Sequence, residues 1–379
     1  MKIAPFGVEQ WMDEYETRCT YNLAETCVDS ITVGELLDLA DTTPDELQSQ
    51  LLPMRLTYGE IQGSERLRAA VAALYERQSA RTVTITHGAI GANHLVHMTL
   101  VEPGDRVVSV LPTYQQHYSI PESIGADVRI LRLREENGWV PDLDELADLV
   151  AGGAKLVAIN NPNNPTGSLM DRDHLEKIAG ICETAGAWLL SDEVYRGIDQ
   201  QDPGTTASVA DIYSRGISTG SMSKAFSLAG LRLGWAVAPE ELIHRVSIHR
   251  DYNTISVGMV DDLLSALALE HADAILERNR ALTRVNLDRL STWVDNEPHI
   301  SWVKPRGGTT ALLKLHLPIA SREFCVGLLE DCGVMLTPGS AMGMEGYLRI
   351  GYANSTQVLS EGLALMSRFI EKQADTGTR

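Results

Sequence analysis

The sequence predicts an α/β fold in which a mostly parallel β-sheet lies between two layers of helices, followed by a smaller α+β region. Strand-like and helical stretches alternate between residues 83 and 221, a pattern typical of parallel sheets with both faces covered. The pattern changes after about residue 240, where long helical stretches surround a few strand-like runs. The length of 379 residues is enough for about two to three domains.

Short runs rich in β-branched and aliphatic residues predict the strands of the sheet. In such sheets, functional side chains gather on the loops beyond the carboxyl ends of the strands. The predicted strands cover 83–86, 106–111, 127–133, 155–160, 187–192 and 216–221, and helices are predicted over 64–78, 92–101 and 171–186.

The remaining segments predict a second domain. Residues 257–293 carry apolar stripes between charges, which predicts one or two long helices, and the first 50 residues also have helical tendency. We therefore expect a large domain over 46–244 and a small domain built from 1–45 and 245–379. The small domain is predicted to contain strands at 311–317 and 346–352 and helices at 321–331 and about 356–373.

The composition excludes several classes of protein. With 44% hydrophobic and 22% charged residues, the chain is neither disordered nor membrane-embedded. A formal net charge of -19 repels phosphate backbones, so no nucleic-acid partner is expected. No secretory signal stands at the start, and no apolar run approaches the roughly 18 residues of a membrane span. The sequence therefore predicts a cytoplasmic protein with no membrane partner.

Cysteine and histidine do not predict a metal centre. The five cysteines are scattered and none forms a CxxC pair, so neither disulfides nor a cysteine-based zinc site is expected. His94 and His97 share a helix face, but no further ligand completes a set at zinc spacing.

The segment 218–235 is the most informative part of the chain. A strand leads into small hydroxyl residues, then Lys224, then a glycine-spaced turn that contains Arg232. A lysine among small and apolar residues is a candidate amine nucleophile, because desolvation lowers its pKa. Ser221, Ser223 and Arg232 could together donate hydrogen bonds to a phosphate. The alternative is an ordinary solvated lysine after a strand.

Two further motifs follow predicted strands. Residues 160–167 read NNPNNPTG. The two prolines make this a rigid turn, which directs the asparagine side-chain amides beyond the strand end. Residues 191–195 read SDEVY, and a carboxylate such as Asp192 at a buried strand end needs a partner, for which a pyridinium N–H would serve. The alternatives are a plain turn and a helix-capping aspartate.

Taken together, NPNNPTG, SDEVY and SMSKAFSLAGLRLGW resemble the motifs of the fold-type-I pyridoxal-phosphate enzymes, specifically the class I/II aminotransferases. The resemblance covers essentially the whole chain in the family's order and spacing. It implies a large domain with a seven-stranded sheet and a pyridoxal 5'-phosphate cofactor held by Lys224 as an internal aldimine. It also implies that the freed Lys224 amine moves the proton between the substrate Cα and the cofactor.

The resemblance assigns further cofactor contacts. Asp192 would keep the ring nitrogen protonated, and Asn164 and Tyr195 would donate to the ring's phenolate oxygen. Tyr114, in LPTY, matches the aromatic residue that stacks on the ring. The phosphate would be bound by Ser221, Ser223, Arg232 and the helix start at Gly88, Ala89 and Ile90, where backbone N–H groups point outward.

Two more matches concern the substrate and the quaternary structure. Arg349, in GYLRIG, matches the arginine that binds the substrate α-carboxylate through two parallel hydrogen bonds, and Asn164 would assist it. Tyr58 matches a tyrosine that reaches the phosphate of the neighbouring subunit, which implies a homodimer with shared active sites.

The resemblance predicts an aminotransferase of amino acid metabolism or biosynthesis that moves nitrogen between an L-amino acid and a 2-oxo acid through pyridoxamine phosphate. The alternative on the same scaffold is elimination, cyclisation or oxidation. The PRGG turn and RDYNTIS are similar to a capreomycidine-synthase-like subgroup that acts on an arginine derivative. Tyr15, Tyr21 and Arg306 are candidates to line the side-chain pocket. A cofactor-sensing domain of a transcription regulator is disfavoured by the acidic charge.

Overall fold

The computed structural model describes residues 2–377 and contains a seven-stranded sheet, a four-stranded sheet and a two-stranded sheet. The strands in chain order are β1 (Tyr21–Asn22), β2 (Val83–Thr86), β3 (Arg106–Leu111), β4 (Asp127–Arg132), β5 (Leu156–Asn160), β6 (Trp188–Asp192), β7 (Gly216–Ser221), β8 (Gly234–Val237), β9 (Ile300–Trp302), β10 (Thr310–Leu315), β11 (Val334–Met335), β12 (Thr337–Pro338) and β13 (Tyr347–Gly351).

Helices connect most of these strands. They are α1 (Gly7–Tyr15), α2 (Val33–Leu39), α3 (Pro44–Leu51), α4 (Glu65–Ala72), α5 (Gly88–Leu100), α6 (Gln116–Ile124), α7 (Leu143–Val150), α8 (Arg172–Ala185), α9 (Val209–Ile212), α10 (Glu240–Arg250), α11 (Met259–Glu270), α12 (Ala272–Asn296), α13 (Ser321–Cys332) and α14 (Thr356–Gly377).

The large sheet has the strand order β2-β8-β7-β6-β5-β3-β4. Strand β8 runs antiparallel to β2 and β7, and the other pairs are parallel, which confirms the prediction of a mostly parallel seven-stranded sheet in an α/β fold. Strand β8 is absent from the predicted strands, because its first two residues belong to the segment 218–235, which the sequence indicates as a glycine-spaced turn. No helix separates β7 from β8, so the chain turns back and the two strands pair antiparallel.

The predicted helix over 64–78 ends earlier, at Ala72. Beyond it, the Asp211 carboxylate accepts hydrogen bonds from the backbone N–H groups of Glu76 and Arg77, at 2.9 and 3.0 Å. These tertiary hydrogen bonds replace the next helical turn. The stretch predicted as one or two helices over 257–293 forms two, α11 and α12, which meet at His271.

The N-terminal segment packs against two different parts of the molecule. Trp11 and Tyr15 are buried in one core with α13, α14 and the four-stranded sheet, which we call the small core. Val28 and Leu36 are buried in another core beside β2 and β8. The division into a large domain over 46–244 and a small domain over 1–45 and 245–379 stays a prediction. Within residues 2–377, no helix combines the length and apolarity needed to cross a membrane.

Candidate active site

A cavity of about 330 Å³ lies beyond the carboxyl ends of the parallel strands. Strands β5, β6 and β7 all end at this edge, so the side chains that follow them converge. The cavity is lined by every predicted site residue except Tyr58, namely Gly88, Ala89, Ile90, Tyr114, Asn164, Asp192, Tyr195, Ser221, Ser223, Lys224, Arg232 and Arg349.

Lys224 reaches this cavity from the loop after β7. Its Nζ donates to Thr26 Oγ1 at 2.7 Å and lies 3.4 Å from Cys27 Sγ. Burial alone would lower the pKa of Lys224, but the thiol of Cys27, the phenol of Tyr195 and the carboxylate of Glu25 outweigh burial and raise that pKa. The expectation of a lowered pKa is therefore wrong, because the groups around the ammonium favour its charged form more than burial disfavours it.

Asp192 ends β6 in a network of hydrogen bonds and is buried, with 3% of its surface exposed. Its Oδ2 accepts from Asn93 Nδ2 at 2.8 Å and lies 3.4 Å from His117 Nε2, while its Oδ1 accepts from the backbone N–H of Val194 at 3.3 Å. Asn93 is oriented in turn by the hydroxyl of Thr219, which donates to Asn93 Oδ1 at 2.7 Å. The carboxylate therefore has a fixed direction toward the cavity.

The turn after β5 is held by its own asparagines. Asn160 Nδ2 donates to the Asp192 backbone carbonyl at 2.7 Å, and Asn160 Oδ1 accepts from the Asn164 backbone N–H at 2.6 Å. Asn164 thereby lines the cavity beside Tyr195, which is 2% exposed. Burial raises the pKa of Tyr195, so its hydroxyl is a hydrogen-bond donor at neutral pH.

One wall of the cavity suits an anion. The N-terminus of α5 presents the backbone N–H groups near Ala89, and Arg232 Nη1 lies 3.3 Å from Ser223 Oγ. Two glycines allow the backbone segments of this wall to pack closely. A Cβ on Gly88 would lie 3.3 Å from Arg232 Nη2, and a Cβ on Gly234 would lie 2.3 Å from the Gly88 carbonyl carbon.

Arg349 on β13 is buried, with 4% of its surface exposed. Its Nη2 donates to the Ala24 carbonyl at 3.1 Å and to Thr337 Oγ1 at 3.0 Å, and its Nη1 donates to Asn164 Oδ1 at 3.3 Å. Its Nε has no hydrogen-bond partner among residues 2–377. Because a buried guanidinium N–H without an acceptor is costly, this group indicates an anionic ligand in the cavity.

The remaining predicted residues lie in different environments. Tyr114 lines the cavity, and its hydroxyl donates to Glu9 Oε1 at 2.9 Å. Tyr58 is 75% exposed and lies outside the cavity. The three side-chain-pocket candidates also lie outside its lining: Tyr15 is buried in the small core, Tyr21 donates to Glu361, and Arg306 is exposed.

The sequence interpretation missed the N-terminal contribution to the cavity. Glu9, Met12 and Glu16 line it from α1 and the residue that follows, and Glu25, Thr26 and Cys27 line it from the segment after β1. The only sequence signal is the helical spacing of residues 9, 12 and 16, which runs beside the buried spacing of 8, 11 and 15. Across residues 2–377, no group of three or more His, Cys, Asp or Glu side chains could hold a metal ion.

The donor set of the cavity fits pyridoxal phosphate. It combines an amine at Lys224, a buried carboxylate at Asp192 and an anion-binding wall of hydroxyls, a guanidinium and helix N–H groups closed by Gly88 and Gly234. These are the groups that a ring aldehyde, a ring nitrogen and a phosphate require.

Comparison with known proteins agrees with this fit. The family model described as aminotransferase class I and II matches residues 31–364. Capreomycidine synthase from Streptomyces vinaceus is 33% identical over 363 residues, which cover 95% of this chain and 92% of that protein.

Two solved structures are similar over nearly the whole chain. A pyridoxal-phosphate-dependent aminotransferase from Streptococcus suis superposes with a TM-score of 0.95 at 40% identity, covering 98% of this chain and 99% of that chain. The pyridoxal-phosphate-dependent cyclase OrfR gives a TM-score of 0.90 at 29% identity and 98% coverage of both chains. The fold is therefore that of the fold-type-I pyridoxal-phosphate enzymes, and the chain belongs to the class I and II aminotransferases, which depend on this cofactor.

Proposed function

We propose that Lys224 is the catalytic residue of this aminotransferase and that the cavity moves an amino group between an L-amino acid and a 2-oxo acid. The observation that carries the proposal is the convergence of Lys224, Asp192 and Arg349 on one cavity. Bound pyridoxal phosphate supplies a protonated ring that withdraws electrons from the substrate Cα. The protein must bind this group, orient the substrate and move one proton.

Lys224 performs the proton transfer in this proposal. Its Nζ would hold the cofactor covalently. With substrate bound, the same amine would accept the proton from the substrate Cα and donate it back. Thr26 Oγ1, 2.7 Å from Nζ, orients the amine for this step.

The other residues bind and orient. Asp192 would hold the ring-nitrogen proton, Asn164 and Tyr195 would donate to the phenolate oxygen, and Tyr114 would stack on the ring. Arg349, assisted by Asn164, would bind the substrate α-carboxylate through its Nε side, which has no partner among residues 2–377. The phosphate would be bound by Ser221, Ser223, Arg232 and the α5 start at Gly88, Ala89 and Ile90.

We further propose a cytoplasmic homodimer that works in amino acid metabolism or biosynthesis. Segment 56–61 exposes apolar side chains, including Leu56 at 83% and Tyr58 at 75% exposure. This segment lies against residues 257–259, since a Cβ on Gly59 would be 3.3 Å from Met259 Cγ, and Tyr252 nearby in the chain is 93% exposed. A second subunit would cover this surface and receive Tyr58 at its phosphate.

Similarity to two other proteins favours a second reaction in the same cavity. Capreomycidine synthase is 33% identical to this chain, and the OrfR cyclase is 29% identical. Elimination, cyclisation or oxidation would begin with the same loss of the Cα proton to Lys224. The two reactions differ in whether a 2-oxo acid is needed to complete turnover.

An absorbance titration of the cofactor-loaded protein tests the proposal. L-Amino acids, including L-arginine, are added without any 2-oxo acid. We expect one donor to convert the cofactor to its amine form, and a 2-oxo acid to restore the original band. Continuous product formation without an acceptor would contradict transamination and support the second reaction.

Variants at two lysines complete this test. Lys224→Ala should abolish both the covalent attachment of the cofactor and turnover. Lys177→Ala is the matched control, because Lys177 is exposed on α8 and pairs with Asp173. Full activity of the Lys224→Ala variant would contradict the assignment of the catalytic residue.

A further inference from the structure

Three carboxylates besides Asp192 line the active-site cavity: Glu9, Glu16 and Glu25. Glu9 and Glu16 are seven residues apart, about two helical turns, so they lie on the same side of α1 and its C-terminal extension. Trp11 and Tyr15 anchor the opposite side of this helix in the small core. The packing of the helix therefore directs the carboxylates of Glu9 and Glu16 to the cavity, and Glu25 reaches it from the segment after β1.

These carboxylates form no close ion pair with a side chain among residues 2–377. None of the three lies within 4.0 Å of a basic nitrogen. Glu9 accepts from the Tyr114 hydroxyl, and Glu25 Oε1 accepts from the backbone N–H groups of Thr26 and Cys27 at 2.6 and 2.8 Å. Partial burial raises the pKa of Glu16, and the charges of Glu25 and Glu9 raise it further, against the opposing charge of Lys224. The pKa of Glu25 is lowered, because Lys224 and the backbone N–H groups outweigh burial. Like charges gathered in this way favour a cationic ligand.

A second, independent observation in the same cavity points to a ligand. Arg349 is 4% exposed, and its Nε has no hydrogen-bond acceptor in the described part of the chain, residues 2–377. A ligand carboxylate satisfies this group. One wall of the cavity therefore lacks an anion and another lacks a cation, which fits an amino acid with a positively charged side chain. A second carboxylate, as in aspartate, would meet the acidic wall and be repelled.

We propose that Glu9, Glu16 and Glu25 bind the cationic side chain of the substrate, so that the enzyme prefers basic amino acids. The inference rests on the proposed function for the placement of the α-carboxylate at Arg349. Glu16 supplies the freest carboxylate, because neither of its oxygens accepts a side-chain hydrogen bond from residues 2–377. Glu9 and Glu25 are already oriented by Tyr114 and by backbone N–H groups.

Equilibrium binding of probes that lack an α-amine to the cofactor-loaded protein tests this site separately from transamination. δ-Guanidinovalerate and ε-aminocaproate carry a carboxylate and a cation but no α-amine, and hexanoate has the carboxylate alone. We expect each cationic probe to bind at least about tenfold more tightly than hexanoate, as for a charge-assisted hydrogen bond. The ratio between the two cationic probes shows whether a guanidinium or an ammonium is preferred.

Substitutions on α1 and its extension make the test specific. Glu16→Gln should weaken both cationic probes about tenfold and leave hexanoate binding within about twofold. Glu16→Lys should reverse the preference, so that the dicarboxylate adipate binds more tightly than ε-aminocaproate. Glu14→Gln is the matched control, since Glu14 is exposed on the same helix, pairs with Arg322 and lies outside the cavity lining.

Two results would overturn the proposed cation site. The first is equal binding of hexanoate and the cationic probes to the unsubstituted protein. The second is an unchanged probe preference in both Glu16→Gln and Glu16→Lys. Neither result depends on turnover, so a failure of the cation site and a failure of transamination are distinguishable. Cationic-probe binding that is lost in Glu16→Gln supports the site even if no amino acid donates nitrogen.

Discussion

Asp192 shows how single residues of the cavity are prepared for their role. Its carboxylate is 3% exposed, yet both oxygens are engaged, by Asn93 at 2.8 Å and by the Val194 backbone N–H at 3.3 Å. Burying a charge is costly unless hydrogen bonds or an ion pair compensate it. The network therefore fixes the carboxylate in the position that its proposed contact with the ring nitrogen requires.

We expect Asp192→Ala to retain cofactor but to lose about 100- to 1,000-fold in kcat, because a preorganised charge at the ring nitrogen is removed. The measurement is single-turnover kinetics with the best donor, together with cofactor content from absorbance. Asp173→Ala, a change at an exposed aspartate on α8, is the control. A near-normal rate in Asp192→Ala would contradict the ring-nitrogen role.

Sequence motifs predicted the cavity residues that lie close to the strand ends. The features that the sequence did not predict depend on contacts between distant parts of the chain. Lys224, Asp192 and Asn164 follow strands within recognisable runs, so chain order alone brings them together. The raised pKa of Lys224 depends on Cys27 and Glu25, which lie about two hundred positions earlier. No local pattern reveals that the segment around residue 25 passes over the lysine.

At the scale of elements, α1 forms one wall of the cavity and is held in place by contacts with the small core. Trp11 is 1% exposed, and its Nε1 donates to the Leu336 carbonyl at 2.9 Å, across 325 positions of the chain. The guanidinium of Arg322 lies over the same indole ring, 5.1 Å from its centroid. The helical spacing of α1 could be predicted from the sequence, but this attachment could not, because it depends on the small core.

Trp11→Ala should release this wall from the small core. We expect the free energy of unfolding to fall by about 3–5 kcal/mol, measured by urea denaturation, because a buried tryptophan leaves a cavity. The KM for the donor should rise more than kcat falls, since Glu9 and Glu16 lose their position while Lys224 does not. Gln10→Ala, at an exposed position of the same helix, serves as the control. A loss of kcat with an unchanged KM would contradict the role of α1 in substrate binding.

At the scale of the whole molecule, the apolar surface around Tyr58 is not covered by any other part of residues 2–377. Tyr58 was predicted to act in a neighbouring active site, and it lies outside its own cavity at 75% exposure. The sequence could indicate this residue by its motif, but a single chain cannot contain the contact. The apolar surface formed by segment 56–61 and Tyr252 is consistent with a second subunit.

Hybrid dimers test whether the sites are shared. Tyr58→Phe alone should weaken cofactor binding about tenfold, since one hydrogen bond to a charged phosphate is lost. Lys224→Ala alone should be inactive. If the two variants are co-expressed with different affinity tags and the mixed dimer is purified, the site containing Lys224 receives Tyr58 from its partner. We expect that site to bind cofactor as tightly as the unsubstituted enzyme and to turn over, because both required side chains meet there. A mixed dimer whose cofactor affinity equals that of the Tyr58→Phe parent would contradict the shared site.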